Sequence, residues 1–333
     1  MTIEDRIMSM ADRRAWPGKR MTLRQKSAER SLRPPLRQRT LKSEIGCVGV
    51  GLHSGREVRL VLKPAPAGEG IVFHRTDLGV SIPARFDHVV ETRLSTEIGL
   101  PGRPEARVGT IEHVMAALAG LGVDNARIEV DGPEVPILDG SAAPFVFLLD
   151  CAGLVEQEAP REGIEILAPI EVQQGGAEAA LLPAEGQESG LAMALTIVFN
   201  ARAIGTQSLA LALNPETFRA ELAEARTFTL AEEIARLHSA GRGLGGGLHN
   251  AVVVDDDRIL NPEGLRRPDE FVRHKLLDAV GDLALAGAPL IGRFTARCTG
   301  HALNNRLLRT LFAHPTSWRR VPLATPAELA AAA

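Results

Sequence analysis

From Thr40 onward the chain alternates short strand-like runs with longer apolar stretches of helical period. REVRLVLKPA places apolar and polar residues in strict alternation, which predicts a strand with one buried face. GIVFHRTD and NARIEVDG read as further strands. TIEHVMAALAGLG carries the period of a helix, with Thr110 as its expected N-cap and Gly120 or Gly122 near its end. The Gly-Ser pair in ILDGSAAPFVFLLDCAGL leads into a second apolar helix. At VEQEAPREGIEIL, charge together with Pro and Gly interrupts the apolar pattern and marks a boundary.

The second half repeats this style. IEILAPIEV and LAMALTIVF predict strands and a long mixed segment follows. AVVVDD then reads as a buried strand, DEFVRHKLLDAVGDLALAG as a helix, LIGRFTARCTG as a strand and HALNNRLLRTLFA as a helix. Strand-rich stretches followed by helices in each half predict an α+β fold of two similar domains, each a β-sheet layered with helices. The expected division is an N-terminal domain at 38–160, a C-terminal domain at 161–315 and a tail at 316–333. No short tandem repeat is visible.

Composition narrows this picture. The 333 residues suit two ordinary domains or one large one, and 45% hydrophobic with 24% charged residues is a normal soluble balance. Tyrosine is absent and aromatics are few, so the core must rest on Leu, Val, Ile and Ala. The net charge of -3 argues neither for nor against a nucleic-acid partner, and none is expected. Cys47, Cys151 and Cys298 match neither a metal pattern nor a disulfide framework, and read as buried or half-buried thiols in a reducing compartment. No apolar run reaches the roughly 18 to 20 residues of a membrane span, and the N-terminus lacks the apolar core of a signal peptide. The expectation is a cytoplasmic protein without stable membrane insertion. Residues 1–37 are rich in Arg and Lys without apolar period, the composition of a disordered leader that the fold can spare.

Chemistry concentrates in four places. In DEFVRHKLLDAVGD, His274 and Asp278 are four residues apart and Asp282 four further on, so all three share one helical face. An imidazole and a carboxylate at that spacing can reach one zinc ion, which commonly takes three protein ligands and keeps a fourth position open; a solvated polar face carrying an ordinary His–Asp pair is the alternative. In TIEHVMAAL, Glu112 and His113 open an apolar helix. A ligand beside a free base is what a metal hydrolase requires, and an acidic first turn is the structural alternative. In CTGHALNN, His301 stands at a strand-to-helix junction, as a catalytic group or as a turn residue. Thr227 and Phe228 of ARTFTL offer a hydroxyl and an apolar wall, or simply part of a core strand.

Taken together, QRTL, GVGLHSG, RTDL, VGTIEHVMAALAGLGVDNARIEVDGPEVPILDGSAAPF, ARTF, NAVVVDDDRILN, GLRRPDEFVRHKLLDAVGDL and GHALNN resemble, in this order, the UDP-3-O-acyl-N-acetylglucosamine deacetylase family, the zinc amidases of lipid A synthesis in Gram-negative bacteria. The resemblance covers about residues 38 to 315. It implies two similar α+β domains with the active site between them, and a monomer with one Zn2+ per chain, Fe2+ being the alternative metal in the cell. It implies removal of the N-acetyl group from UDP-3-O-acyl-N-acetylglucosamine, the committed step of lipid A biosynthesis. Carried over by residue, it makes His113, His274 and Asp278 the metal ligands and Glu112 the general base. His301 becomes the cationic histidine, Asp282 its orienting partner and Thr227 an oxyanion donor. Lys275 and Phe228 become substrate contacts. His53 of GLHSG has two readings, near the nucleotide or in a structural turn. In GRGLGGGLHNA, Arg242 and Gly247 stand where the family leads one to expect an aliphatic residue and a serine, which bears on acyl-chain preference. The rivals are a zinc amidase for another N-acetyl sugar and a catalytically inactive nucleotide-sugar-binding protein.

Overall fold

The computed structural model describes residues 36–185 and 190–323. The expected leader lies outside the described residues as far as residue 35, and Arg37 already opens the first strand. In the first half run β1 (Arg37–Leu41), β2 (Ile45–Val50), β3 (Glu57–Pro64), β4 (Ile71–Arg75), β5 (Val80–Pro83), β6 (Val89–Glu91), β7 (Glu97–Leu100) and β8 (Arg103–Val108). Helix α1 (Glu112–Gly120), β9 (Ala126–Val130), helix α2 (Ala143–Ala152) and β10 (Leu154–Pro160) follow. Five of these strands form a sheet in the order β2-β3-β9-β4-β5, with β4 parallel to β9 and the other pairs antiparallel. In β3 the alternation works as expected. Val58, Leu60 and Leu62 are buried, while Glu57 and Arg59 face out. Helix α1 is apolar nearly all round and accordingly lies inside the core.

In the second half run β11 (Glu162–Ile166), β12 (Ile170–Gln174), β13 (Ala177–Leu182), β14 (Leu191–Val198), β15 (Thr206–Ala212), β16 (Phe228–Leu230), helix α3 (Ala231–Ser239), β17 (Val252–Asp255) and β18 (Arg258–Ile259). Helix α4 (Glu270–Ala284), β19 (Leu290–Arg297), helix α5 (His301–Ala313) and β20 (Trp318–Pro322) complete it. Seven strands make the second sheet, ordered β12-β13-β19-β11-β20, with β14 beside β19 and β15 beyond it. Helix α4 packs against β14 and β15, and α5 against β12 and β13, which is the expected sheet-and-helix layering. A continuous apolar core runs through both halves, from Leu41 to Leu311. Among the described residues, no helix is long and apolar enough to cross a membrane.

The structure departs from the sequence reading at several points. Thr110 does not cap α1. Ile111 takes the cap position without a side-chain bond, and Thr110 sits at φ 57° with its hydroxyl donating to Glu134 at 2.9 Å. A distant acceptor has displaced the local one. VEQEAPREGIEIL is not a loop, because residues 155–160 belong to β10 and 162–166 form β11. Strand β10 pairs with β1 as a largely exposed two-stranded ribbon, where burial imposes no apolar alternation. Residues 318–322 of the expected tail form β20, paired antiparallel with β11. Cys151 is exposed rather than buried, since that side of α2 faces solvent.

Candidate metal centre

Two helices from opposite halves of the chain build the site. Helices α1 and α4 pack side by side, and Gly281 sets how near they come. A Cβ at position 281 would fall 2.0 Å from the carbonyl oxygen of Glu112, so only glycine admits this approach. It brings the N-terminal turn of α1, with Glu112 and His113, against the α4 face that carries His274, Asp278 and Asp282. All five side chains are buried.

His113, His274 and Asp278 converge. One donor atom from each lies within 4.8 Å of the other two. Asp278 Oδ1 stands 3.3 Å from His274 Nε2 and 3.6 Å from His113 Nε2. Donors at the corners of a tetrahedron with bonds of about 2.0–2.1 Å would stand about 3.3 Å apart, close to this spacing. Asp278 Oδ1 is buried and has no hydrogen-bond partner, a costly condition for a carboxylate oxygen that a cation would relieve. His274 Nδ1 donates to the carbonyl of Ala225 at 3.0 Å, which leaves the lone pair on Nε2 facing the cluster. The other oxygen of Asp278 accepts from Lys275 Nζ at 3.0 Å. The donor set therefore fits a divalent metal.

Burial and charge tune these groups in different directions. Burial lowers the pKa of His274 to about 4, so the imidazole stays neutral and able to ligate. Burial alone would raise Asp278, but the neighbouring His274 imidazole and Lys275 ammonium prevail and hold it well below the usual carboxylate range. Burial raises Glu112 above its ordinary value, with His301 and His113 opposing the shift. Burial would also strip the proton from His301, yet the carboxylates of Asp282 and Glu112 overcome it and push the pKa up to about 10. His301 is thus a cation at neutral pH, even though it opens α5 at the helix end that disfavours positive charge.

A hydrogen-bonded chain fixes the second row. His301 Nδ1 donates to Asp282 Oδ2 at 2.9 Å, and Asn304 Nδ2 donates to the same oxygen at 2.8 Å. The Thr96 hydroxyl donates to Asp282 Oδ1 at 2.5 Å, while the Thr96 N–H donates to Glu112 Oε2 at 3.1 Å. Glu112 Oε1 and His301 Nε2 face each other across 3.8 Å. A buried carboxylate and a cationic histidine thus flank the His113–His274–Asp278 cluster, an arrangement that suits hydrolysis of a carbonyl compound.

The remaining sequence candidates sit around this centre. Phe228, on β16, has its ring 6.2 Å from that of His274 and 4.9 Å from that of Phe271, with Lys275 Nζ 5.5 Å from its centroid. Thr227 is half-buried, and its main chain is fixed by the Gly140 carbonyl and the Val252 N–H, each at 2.8 Å. The loop carrying both residues is anchored by Arg226, whose buried guanidinium pairs with Glu270 at the start of α4. His53 lies in a tight turn but is 93% buried, with neither ring nitrogen partnered. It lines a cavity of about 190 Å³ with Ser95, Arg107, Thr110, Glu134 and Arg242. Arg242 therefore borders the same cavity as His53 and Glu134. At Gly247, a Cβ would meet the His249 ring at 2.8 Å. Sequence reasoning missed Thr96, Asn304, Arg226 and Glu134. Only Asn304 left a local signal, three residues beyond His301 on one helical face.

A family model described as UDP-3-O-acyl N-acetylglycosamine deacetylase matches residues 38–313. The chain is 53% identical over 285 residues to a UDP-3-O-acyl-N-acetylglucosamine deacetylase of Phenylobacterium zucineum (strain HLK1), covering 85% of this chain and 95% of that protein. It is 50% identical over 294 residues to the protein of the same name from Anaeromyxobacter sp. (strain Fw109-5), covering 88% and 94%. It is 51% identical over 287 residues to that of Myxococcus xanthus (strain DK1622), covering 86% and 89%.

Proposed function

The chain belongs to the family of UDP-3-O-acyl N-acetylglycosamine deacetylases, enzymes of lipid A biosynthesis, and on that premise we propose how its own residues carry out the reaction. The substrate is UDP-3-O-acyl-N-acetylglucosamine, and the products are acetate and the free amine of UDP-3-O-acyl-glucosamine. His113, His274 and Asp278 hold one zinc ion, with ferrous iron the alternative in the cell. When bound, the metal polarises the acetamide carbonyl and makes a water molecule more acidic. Glu112, ionised, takes a proton as water attacks the carbonyl carbon. Thr227 donates to the oxyanion, and the His301 cation, held by Asp282, stabilises the developing negative charge. As the C–N bond breaks, the leaving nitrogen gains a proton from Glu112 or His301. Lys275 and Phe228 contact the sugar. His53 and Arg242 line a cavity of suitable charge for the diphosphate end of the nucleotide.

The observation that carries this reading is the unpartnered Asp278 oxygen between two imidazole nitrogens, beside a buried carboxylate that faces a cationic histidine. The two-domain division near residue 161 is part of the proposal. In its support, each sheet among the described residues draws its strands from one side of that position. We also propose a monomeric, cytoplasmic enzyme without nucleic-acid partners. Metal analysis combined with acetate release from UDP-N-acetylglucosamine bearing acyl chains of graded length tests the reading. One zinc per chain and turnover that depends on the acyl group are expected. Equal turnover of the sugar without its acyl chain would favour an amidase for another N-acetyl sugar, and no turnover would favour a binding protein.

A further inference from the structure

We infer that Glu134 is a positioning residue for this reaction. It is a buried carboxylate that ties the turn carrying His53 to Thr110, and through Thr110 aims the start of α1, with Glu112 and His113, at the cluster. The inference rests on the deacetylase reading above. Glu134 is 95% buried, and its oxygens accept from the N–H groups of His53 and Ser54, each at 2.8 Å, and from the Thr110 hydroxyl at 2.9 Å. Among the described residues, no lysine, arginine or histidine side chain forms an ion pair with it. Its charge is held by two main-chain amides and one hydroxyl, so it shapes backbone rather than balancing a cation. The turn is built around it. A Cβ at Gly51 would fall 2.4 Å from Glu134 Oε2.

Thr110 supplies the independent observation. It is β-branched yet sits at φ 57°, in the left-handed region that such residues avoid. Glycine would take that conformation without strain, but it would lack the hydroxyl that reaches Glu134. Strain of this kind persists only where the surroundings over-determine it, and it clusters at functional sites. The main chain here is pinned as well. The Gly109 N–H donates to the Pro133 carbonyl at 2.9 Å, and the Val135 N–H to the Gly109 carbonyl at 3.0 Å. Glu112 follows two residues after Thr110. Its backbone is aimed from the Glu134 side and its carboxylate from the Thr96 side. One carboxylate thereby sets two things: where the base begins, and how the His53 turn closes the neighbouring cavity.

The test compares Thr110→Val, Thr110→Ser, Glu134→Gln and the Val/Gln double variant, using steady-state deacetylation and zinc competition with a chelator. Thr110→Val keeps the shape and loses the donor. We expect its kcat to fall about tenfold to a hundredfold and its zinc affinity about tenfold, the usual scale for outer-shell residues, with KM within about twofold. Thr110→Ser should restore both to within about twofold. Glu134→Gln should lower kcat and also raise KM, since the His53 turn loses its anchor, and the double variant should be no worse than Glu134→Gln alone. An unchanged kcat and zinc affinity in Thr110→Val, a loss that serine does not restore, or strictly additive losses would overturn the inference. If the unaltered chain releases no acetate, the deacetylase reading fails, and the zinc competition alone then judges the Glu134–Thr110 link.

Discussion

Helices α4 and α3 lie in the same half of the chain, and the core treats them in opposite ways. Thirteen of the fifteen residues of α4 are buried, including His274, Asp278 and Asp282, whereas α3 buries none of its nine. Each polar group of α4 has a fixed partner: His274 bonds Ala225, one oxygen of Asp278 bonds Lys275, and Asp282 bonds Thr96, Asn304 and His301. The α3 segment instead continues into a glycine-rich stretch that leans on the GLHSG turn. There Gly245 approaches Gly51, and a Cβ would meet its carbonyl at 2.3 Å. Groups that carry chemistry need fixed geometry, and a buried helix supplies it at the cost of desolvating charges. Groups that shape a substrate pocket can ride on a lightly anchored element, where changes are tolerated.

Substitutions along α4 should therefore be severe and differ in kind. Asp278→Ala removes a proposed ligand, so on that reading zinc content and turnover should fall together, turnover by more than about a hundredfold. Asp282→Ala should keep zinc near one per chain and lose rate about tenfold to a hundredfold, because it frees His301 rather than the metal. Metal analysis beside kcat separates the two. Equal zinc loss in both variants would mean that the ligand set is misassigned.

Next in size is the pH dependence set by the same buried surroundings. With Glu112 as the proposed base and His301 as the proposed cation, activity should need the first ionised and the second protonated. The acid limb of kcat/KM should then lie above the ordinary glutamate value of 4.5, and the basic limb near 10. Activity is expected to rise as pH climbs through the Glu112 value and to fall as it passes the His301 value. Glu112→Ala should lose about a hundredfold and its acid limb, and His301→Ala its basic limb, both with zinc retained. A basic limb that persists unchanged in His301→Ala would assign it to another group.

The smallest effect belongs to the glycine-rich stretch. Arg242→Leu should raise KM for the nucleotide substrate by up to about fivefold, the scale of a solvated ion pair, with kcat and zinc content unchanged. Kinetics over a range of salt would check this, because screening should erase the difference. If Leu at 242 changes the preferred acyl length and leaves the salt response alone, Arg242 faces the acyl chain instead.

The sequence alone determined what repeats locally. The alternation in β3, the apolar helix α1 and the single face shared by His274, Asp278 and Asp282 all follow from the periods of strand and helix, which are properties of neighbouring residues. The long ordered motifs were enough to suggest the family. Only the tertiary structure decided how the two helices meet, because Gly281 acts through a residue far away in sequence. It likewise turned Thr110 from a helix cap into a strained partner of Glu134, and placed Thr96 on Asp282 across 186 residues. A hydrogen bond over that separation leaves no period in the chain. It forms because two buried polar groups, brought together by packing, must satisfy each other.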